Sequence, residues 1–176
     1  SPSIDNIVNY DLLTKSDIER RLGWKIKTPT AIFTLHSETA TNVDIKYQTR
    51  NILKAIRNSK INVVFTYSNT DHGGFDINNE VENFVKNNNS DRFVVVKSLG
   101  RLMYLSALKH FDLLIGNTSS GIIESTFFGI PVINIGTRQK GRIRGNNVID
   151  CSFEDFENCL KSVLNVKDRV RKSIKI

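Results

Sequence analysis

The sequence predicts an α/β fold: a three-layer, doubly wound parallel sheet. Two observations carry that reading. Short apolar runs of strand length alternate with stretches of helical period, from Ala31–Leu35 through Val132–Ile135. One junction, Gly116-Asn117-Thr118-Ser119-Ser120-Gly121, is a small, hydroxyl-rich turn between a strand and a helix, of the kind that such sheets carry at their carboxyl edge.

The elements follow in order. Ser16-Asp17-Ile18-Glu19 reads as a capping box opening a first helix, and Gly23 stops it. Ala31–Leu35 is the first strand. A helix over Val43–Asn58 gathers Ile45, Ile52, Leu53 and Ile56 on one stripe. Ile61–Tyr67 is the second strand and Ile77–Lys86 the next helix. Phe93–Val96 is apolar at every position, which predicts a strand buried on both faces. A helix at Leu102–Lys109 leads to strand Phe111–Ile115, the helix after the hydroxyl-rich turn, strand Val132–Ile135, a short strand near Val148–Ile149 and a last helix at Glu154–Leu164. Strands separated by helices pair in parallel through right-handed crossovers.

Composition bounds the function. At 176 residues the chain predicts one domain that builds its core without staples. No run approaches the ~20 apolar residues of a membrane span. The opening Ser1-Pro2-Ser3-Ile4-Asp5 has neither the basic head nor the apolar body of a signal peptide. Cys151 and Cys159 match no metal-ligand spacing, so a reduced, cytoplasmic setting is expected. Asp71-His72 is not a metal site by itself, and neither metal nor cofactor is expected. The net charge of +7 points to an anionic partner. One basic cluster is Arg138, Lys140, Arg142 and Arg144, just past a strand; the other is the tail, Lys167, Arg169, Arg171, Lys172 and Lys175, read as a solvated end. Aromatic residues are not interleaved with either cluster, which argues against nucleic acid.

The turn at Thr118–Gly121 offers free backbone N–H groups and a positive helix end, an anion seat whose commonest occupant is phosphate. Glu124 follows three residues after Gly121, where its carboxylate reaches a ribose diol beside that seat. An early-turn Glu of this kind is expected to lie outside the core. The plainer reading is a helix N-terminus capped by Ser119 or Ser120. Three further loops share the edge: Thr34–Thr39 with His36, Tyr67–Gly74 with Asn69, and Lys97-Ser98-Leu99.

Taken in order, the segments TLHSET, GNTSSGIIES and FGIPVINIGTRQKGR resemble the C-terminal domain of hydrolysing UDP-N-acetylglucosamine 2-epimerases. The resemblance runs from SPSIDNI to about Leu164. It implies a glycosyltransferase-B-like fold of two Rossmann-like halves with UDP between them. Residues 1–176 would be the second, UDP-binding half, without the N-terminal domain. The implied partners are UDP and UDP-N-acetylglucosamine or a related UDP-amino-sugar, with no membrane partner and a homo-oligomer at full length. The implied site residues are Thr118, Ser119, Ser120 and Gly121 on the diphosphate, Glu124 on the ribose and Arg138 on the phosphate charge. His36 would be catalytic, near the sugar and β-phosphate; Asn69 would be a polar nucleotide contact, and Ser98 and Leu99 would face the uracil. Some members carry Cys at the position of Ser120.

The implied reaction is removal of the sugar C2 proton, loss of UDP from C1 to a glycal, and addition of water with inversion at C2. Its acid–base carboxylates belong to the family's first domain, so the 176 residues alone are expected to be inactive. Three other readings remain. A sugar transferase of the same architecture lacks the GTRQKGR segment. A non-hydrolysing epimerase carries a double Glu and a TERPE segment where this chain has Ile123-Glu124 and Thr137-Arg138-Gln139. A non-catalytic UDP-binding module is the last.

Overall fold

The computed structural model describes residues 7, 11–38, 44–69, 73–142 and 145–174, those after 165 as backbone alone. Helix α1 spans Lys15–Leu22, and β1 (Thr30–Thr34), α2 (Ile45–Asn58), β2 (Asn62–Thr66), α3 (Gly74–Asn88) and β3 (Phe93–Val96) follow. The second half is α4 (Arg101–His110), β4 (Leu113–Gly116), α5 (Ser119–Phe128), β5 (Val132–Ile135), β6 (Val148–Cys151) and α6 (Phe156–Ile174). Six parallel strands form one sheet in the order β3-β2-β1-β4-β5-β6. The doubly wound prediction holds, with strand ends displaced by no more than two residues. Val43, the predicted start of α2, lies outside the described residues.

Strand alternation divides the apolar side chains between two cores. Ala31 and Phe33, Val63 and Phe65, Leu113 and Ile115, and Ile133 and Ile135 face one side, where Ile52 and Ile56 of α2, Ile77 and Val81 of α3 and Phe156 and Leu160 of α6 cover them. Ile32, Val64, Leu114 and Val132 face the other, against Ile18 of α1, Leu105 and Leu108 of α4 and Phe128 of α5. Phe33 meets Phe65 edge-on at 5.1 Å, and Phe84 lies 5.0 Å from Phe93.

Two local predictions need correction. The cap of α1 is Thr14, not Ser16. The Thr14 hydroxyl accepts from Asp17 N–H at 3.1 Å, and the Asp17 carboxylate accepts from Thr14 N–H at 3.2 Å. Glu19, the proposed acidic partner of Ser16, instead accepts from Ile26 N–H at 2.8 Å. The second correction concerns β3. It is an edge strand, and only Phe93 is buried, the rest being half-covered. Arg92 finishes that edge. Its guanidinium lies 4.7 Å from the Phe93 ring and donates to the carbonyls of Ile56, Arg57, Ser59 and Ile61, which include those left open at the end of α2.

The winding direction reverses between β1 and β4, and there the strands run close. Thr34 pairs with Gly116, whose φ is +149°; a Cβ on Gly116 would stand 1.8 Å from the Thr34 carbonyl oxygen. No side chain fits, and the obstacle is backbone. Gly116→Ala is therefore expected to cost more than about 2 kcal/mol, since both strain and main-chain displacement are involved. Urea unfolding of the two proteins measures it, and an unchanged midpoint would contradict the close approach.

Candidate functional site

Immediately after Gly116 the chain places Asn117, which is 1% exposed and fully engaged. Its Oδ1 accepts from His36 N–H at 2.8 Å, and its Nδ2 donates to the His36 carbonyl at 2.9 Å. Its own carbonyl accepts from Gln139 Nε2 at 3.0 Å. A buried amide satisfied on both sides makes a rigid tie. One residue after β4 thus fixes the loops following β1 and β5. Sequence reasoning passed over Asn117 and Gln139, although both lie within the segments it singled out.

Helix α5 begins three residues earlier than a loop through Gly121 implies, at Ser119. Thr118 is the cap, with its hydroxyl accepting from Gly121 N–H at 3.1 Å, so neither Ser119 nor Ser120 caps. Ser119, Ser120 and Gly121 form the first helical turn. Ser120 Oγ lies 3.3 Å from Thr118 Oγ1 and 3.2 Å from the Tyr104 hydroxyl. Gly121 lets the turn settle on the sheet, because a Cβ there would meet Leu114 Cδ2 at 2.6 Å. The result is three hydroxyls around the positive end of a helix.

Glu124 lies deeper than expected. It is 4% exposed, and Arg101 Nη1 reaches its Oε1 at 2.7 Å. Its Oε2 is buried and has no hydrogen-bond partner. An open cavity of about 360 Å³ lies alongside, lined by residues that include Ser98, Leu99, Arg101, Tyr104, Thr118 and Ser120. Thr34, Thr66 and Tyr67 from the β1 and β2 ends complete its other wall. The cavity therefore gathers Ser98, Leu99, Thr118 and Ser120, while Arg101 links it to Glu124.

His36, Asn69 and Arg138 do not line this cavity. His36 is 8% exposed, and its Nδ1 accepts from Asn69 N–H at 3.1 Å, with Ser68 Oγ at 3.3 Å. A backbone donor on Nδ1 leaves the proton of the neutral ring on Nε2. Asn69 thus acts through its main chain, and its side chain is exposed. Arg138 is exposed at the end of β5, with Nη1 3.5 Å from the Ser37 carbonyl. Of its basic cluster, Arg142 Nε donates to Gln139 Oε1 at 2.8 Å. Thr39, Thr70, Asp71, His72, Arg144 and the side chains of the basic tail lie outside the described residues. Among the described residues, no group of three His, Cys, Asp or Glu could hold a metal ion, and no helix is long and apolar enough to cross a membrane.

Tyr104 reports on this environment. Burial, with the Glu124 carboxylate nearby, pushes its phenol from 10.0 up to about 12. The unfolded chain releases this proton first, so stability present below pH 10 declines as pH rises from 10 toward 12. Tyr104→Phe is expected to flatten that decline. Urea midpoints of both proteins on either side of pH 10 check it; parallel declines would contradict the buried phenol.

A family profile described as UDP-N-acetylglucosamine 2-epimerase matches residues 1–175. The chain is 35% identical over 158 residues to a GDP/UDP-N,N'-diacetylbacillosamine 2-epimerase (hydrolyzing) from Campylobacter jejuni, covering 89% of this chain and 41% of that protein. It is 27% identical over 167 residues to a UDP-N,N'-diacetylbacillosamine 2-epimerase (hydrolyzing) from Legionella pneumophila, covering 94% and 44%. The fold resembles the crystal structure of UDP-GlcNAc 2-epimerase from Neisseria meningitidis bound to UDP-GlcNAc, with a TM-score of 0.66, 10% identity, and 92% of this chain against 44% of that one. The chain thus spans about two fifths of the length of the relatives it matches.

Proposed function

Because the chain belongs to the UDP-N-acetylglucosamine 2-epimerase family, we propose that it is the carboxyl-terminal, UDP-binding half of a hydrolysing 2-epimerase. The observation that carries this reading is the pairing of a hydroxyl-rich helix N-terminus with Glu124, whose buried Oε2 lacks a donor. The two features stand one helical turn apart and match a diphosphate and its ribose. On this reading Thr118, Ser119, Ser120 and Gly121 receive the diphosphate through hydroxyl and N–H donors. Glu124 accepts from the ribose hydroxyls, and the backbone at Ser98 and Leu99 faces the uracil. Asn69 contributes by holding His36.

Arg138 and His36 serve the leaving group. The Nε2–H of His36 donates to the β-phosphate as negative charge gathers there, and Arg138 neutralises it. A base removes the C2 proton, the C1–O bond breaks to release UDP, and water adds across the glycal double bond with inversion at C2. The products are UDP and a free 2-epimerised amino sugar: N-acetylmannosamine, or its counterpart from a 4-acetamido-4,6-dideoxy substrate. The names of the Campylobacter and Legionella relatives favour the diacetylated substrate. The acid–base carboxylates belong to the other half of the enzyme, so the 176 residues bind without turning over. The full enzyme acts in the cytoplasm, as a homo-oligomer, on precursors of nonulosonic (sialic-type) acids.

Calorimetry tests the binding reading. The chain is expected to prefer UDP to uridine, with the preference shrinking as salt rises. GDP serves as a third titrant, because one relative is named for both nucleotides. Glu124→Gln is expected to weaken UDP by about 1.5–3 kcal/mol, the range for hydrogen bonds to a charged group. Equal affinity for UDP and uridine would remove the diphosphate seat, and unchanged UDP affinity in Glu124→Gln would remove the ribose contact. In the longer protein, His36→Ala is expected to slow UDP release by roughly 100-fold or more, within the range for positioned acid–base and charge-stabilising groups. Near-normal turnover by a folded variant would take His36 out of the site.

A further inference from the structure

We propose that Glu38 is a positioning residue, whose carboxylate holds the turn bearing Arg138 against the loop bearing His36. The assignment rests on the UDP reading above for what those two residues face. Its evidence is separate. Glu38 Oε1 accepts from Thr137 N–H at 2.5 Å and from Arg138 N–H at 2.8 Å, while Oε2 lies 3.3 Å from the Thr137 hydroxyl. Two successive backbone donors converging on one oxygen form a small anion-accepting turn. Here a carboxylate from the β1 loop fills it, across 99 and 100 residues of sequence.

The turn is shaped for that carboxylate. Gly136 has φ +83°, and a Cβ on it would stand 2.3 Å from Glu38 Oε1. A side chain at position 136 would push Glu38 out. With the Thr137 and Arg138 N–H groups both taken by Glu38, what residue 138 can offer a phosphate is its guanidinium. That guanidinium is held toward Ser37, the neighbour of His36. Placing a negative charge at a diphosphate-binding edge would ordinarily weaken anion binding. At Glu38 the charge is absorbed by two backbone donors, and charge-assisted hydrogen bonds hold the turn more firmly than neutral ones.

The test measures UDP and uridine affinities of the 176-residue chain carrying Glu38→Ala, Glu38→Gln, Arg138→Ala and the Glu38→Ala/Arg138→Ala pair. Glu38→Ala is expected to weaken UDP about tenfold, as loss of a charged hydrogen-bonding partner does, and to leave uridine within about twofold. Glu38→Gln keeps one acceptor oxygen but not the charge, and is expected to recover only part of that loss. In the Arg138→Ala background, Glu38→Ala is expected to add less than about twofold, because the two act as one unit. Independent, multiplying effects of the two substitutions would overturn the proposal. So would a uridine loss equal to the UDP loss, which marks a merely structural role. If the unsubstituted chain does not prefer UDP, or Arg138→Ala leaves UDP affinity unchanged, the phosphate reading itself fails and takes this assignment with it.

Discussion

The close approach of β1 and β4 governs everything at the carboxyl edge of the sheet. With Gly116 against the Thr34 carbonyl, the next residue emerges directly beneath the β1 loop. Only from there can one amide side chain bond both the N–H and the carbonyl of His36. The same placement lets the Asn117 carbonyl anchor Gln139, and it starts α5 with Thr118 over the gap between the strands. A single extra methyl at position 116 would separate the strands and undo all three relations together. The site is thus a consequence of backbone packing before it is a collection of polar side chains.

Two clamps divide the work around that hinge of the topology. On the β3 side, Arg92 binds four carbonyls between the end of α2 and the start of β2 and stacks over Phe93. At the carboxyl edge, Asn117 and Glu38 fix the loops of β1 and β5 from two directions. Loops held from both ends lose little further freedom when a ligand arrives, which is how a preformed site limits the entropic cost of binding.

Strands and helices were legible in the sequence because their signals are local. Phe33 and Phe65 alternate with Ile32 and Val64, and periodicity alone reports that. Edge position is not local, and so Phe93–Val96 read as fully buried when it has a neighbour on one side only. Capping was legible only in kind. Thr14 and Ser16 both suit an N-cap; Asp17 closes the box on Thr14, while Glu19 is engaged by Ile26, seven residues beyond it. The candidate site divides the same way. Thr118, Ser120, Ser98 and Leu99 lie at strand ends that topology brings together, and they do share a cavity. The burial of Glu124 could not be read, because α5 carries apolar residues around most of its circumference and shows no obvious inner face. Glu38, Arg101 and Gln139 gain their meaning from partners 22 to 100 residues away.

Glu124 carries one more consequence. A carboxylate oxygen sealed from water without a donor is a local frustration, costing the fold about 1–3 kcal/mol. Any hydroxyl-bearing ligand that reaches it relieves that penalty at the moment of binding. On the proposed reading, part of the affinity for UDP is stored in the fold as forgone stability and would be released where the ribose hydroxyls meet Glu124. An apolar residue of the same volume would remove that penalty and, on the proposed reading, the ribose contact with it. If the reading holds, function at this position works against a rigid fold, and the ion pair with Arg101 offsets only one of the two carboxylate oxygens.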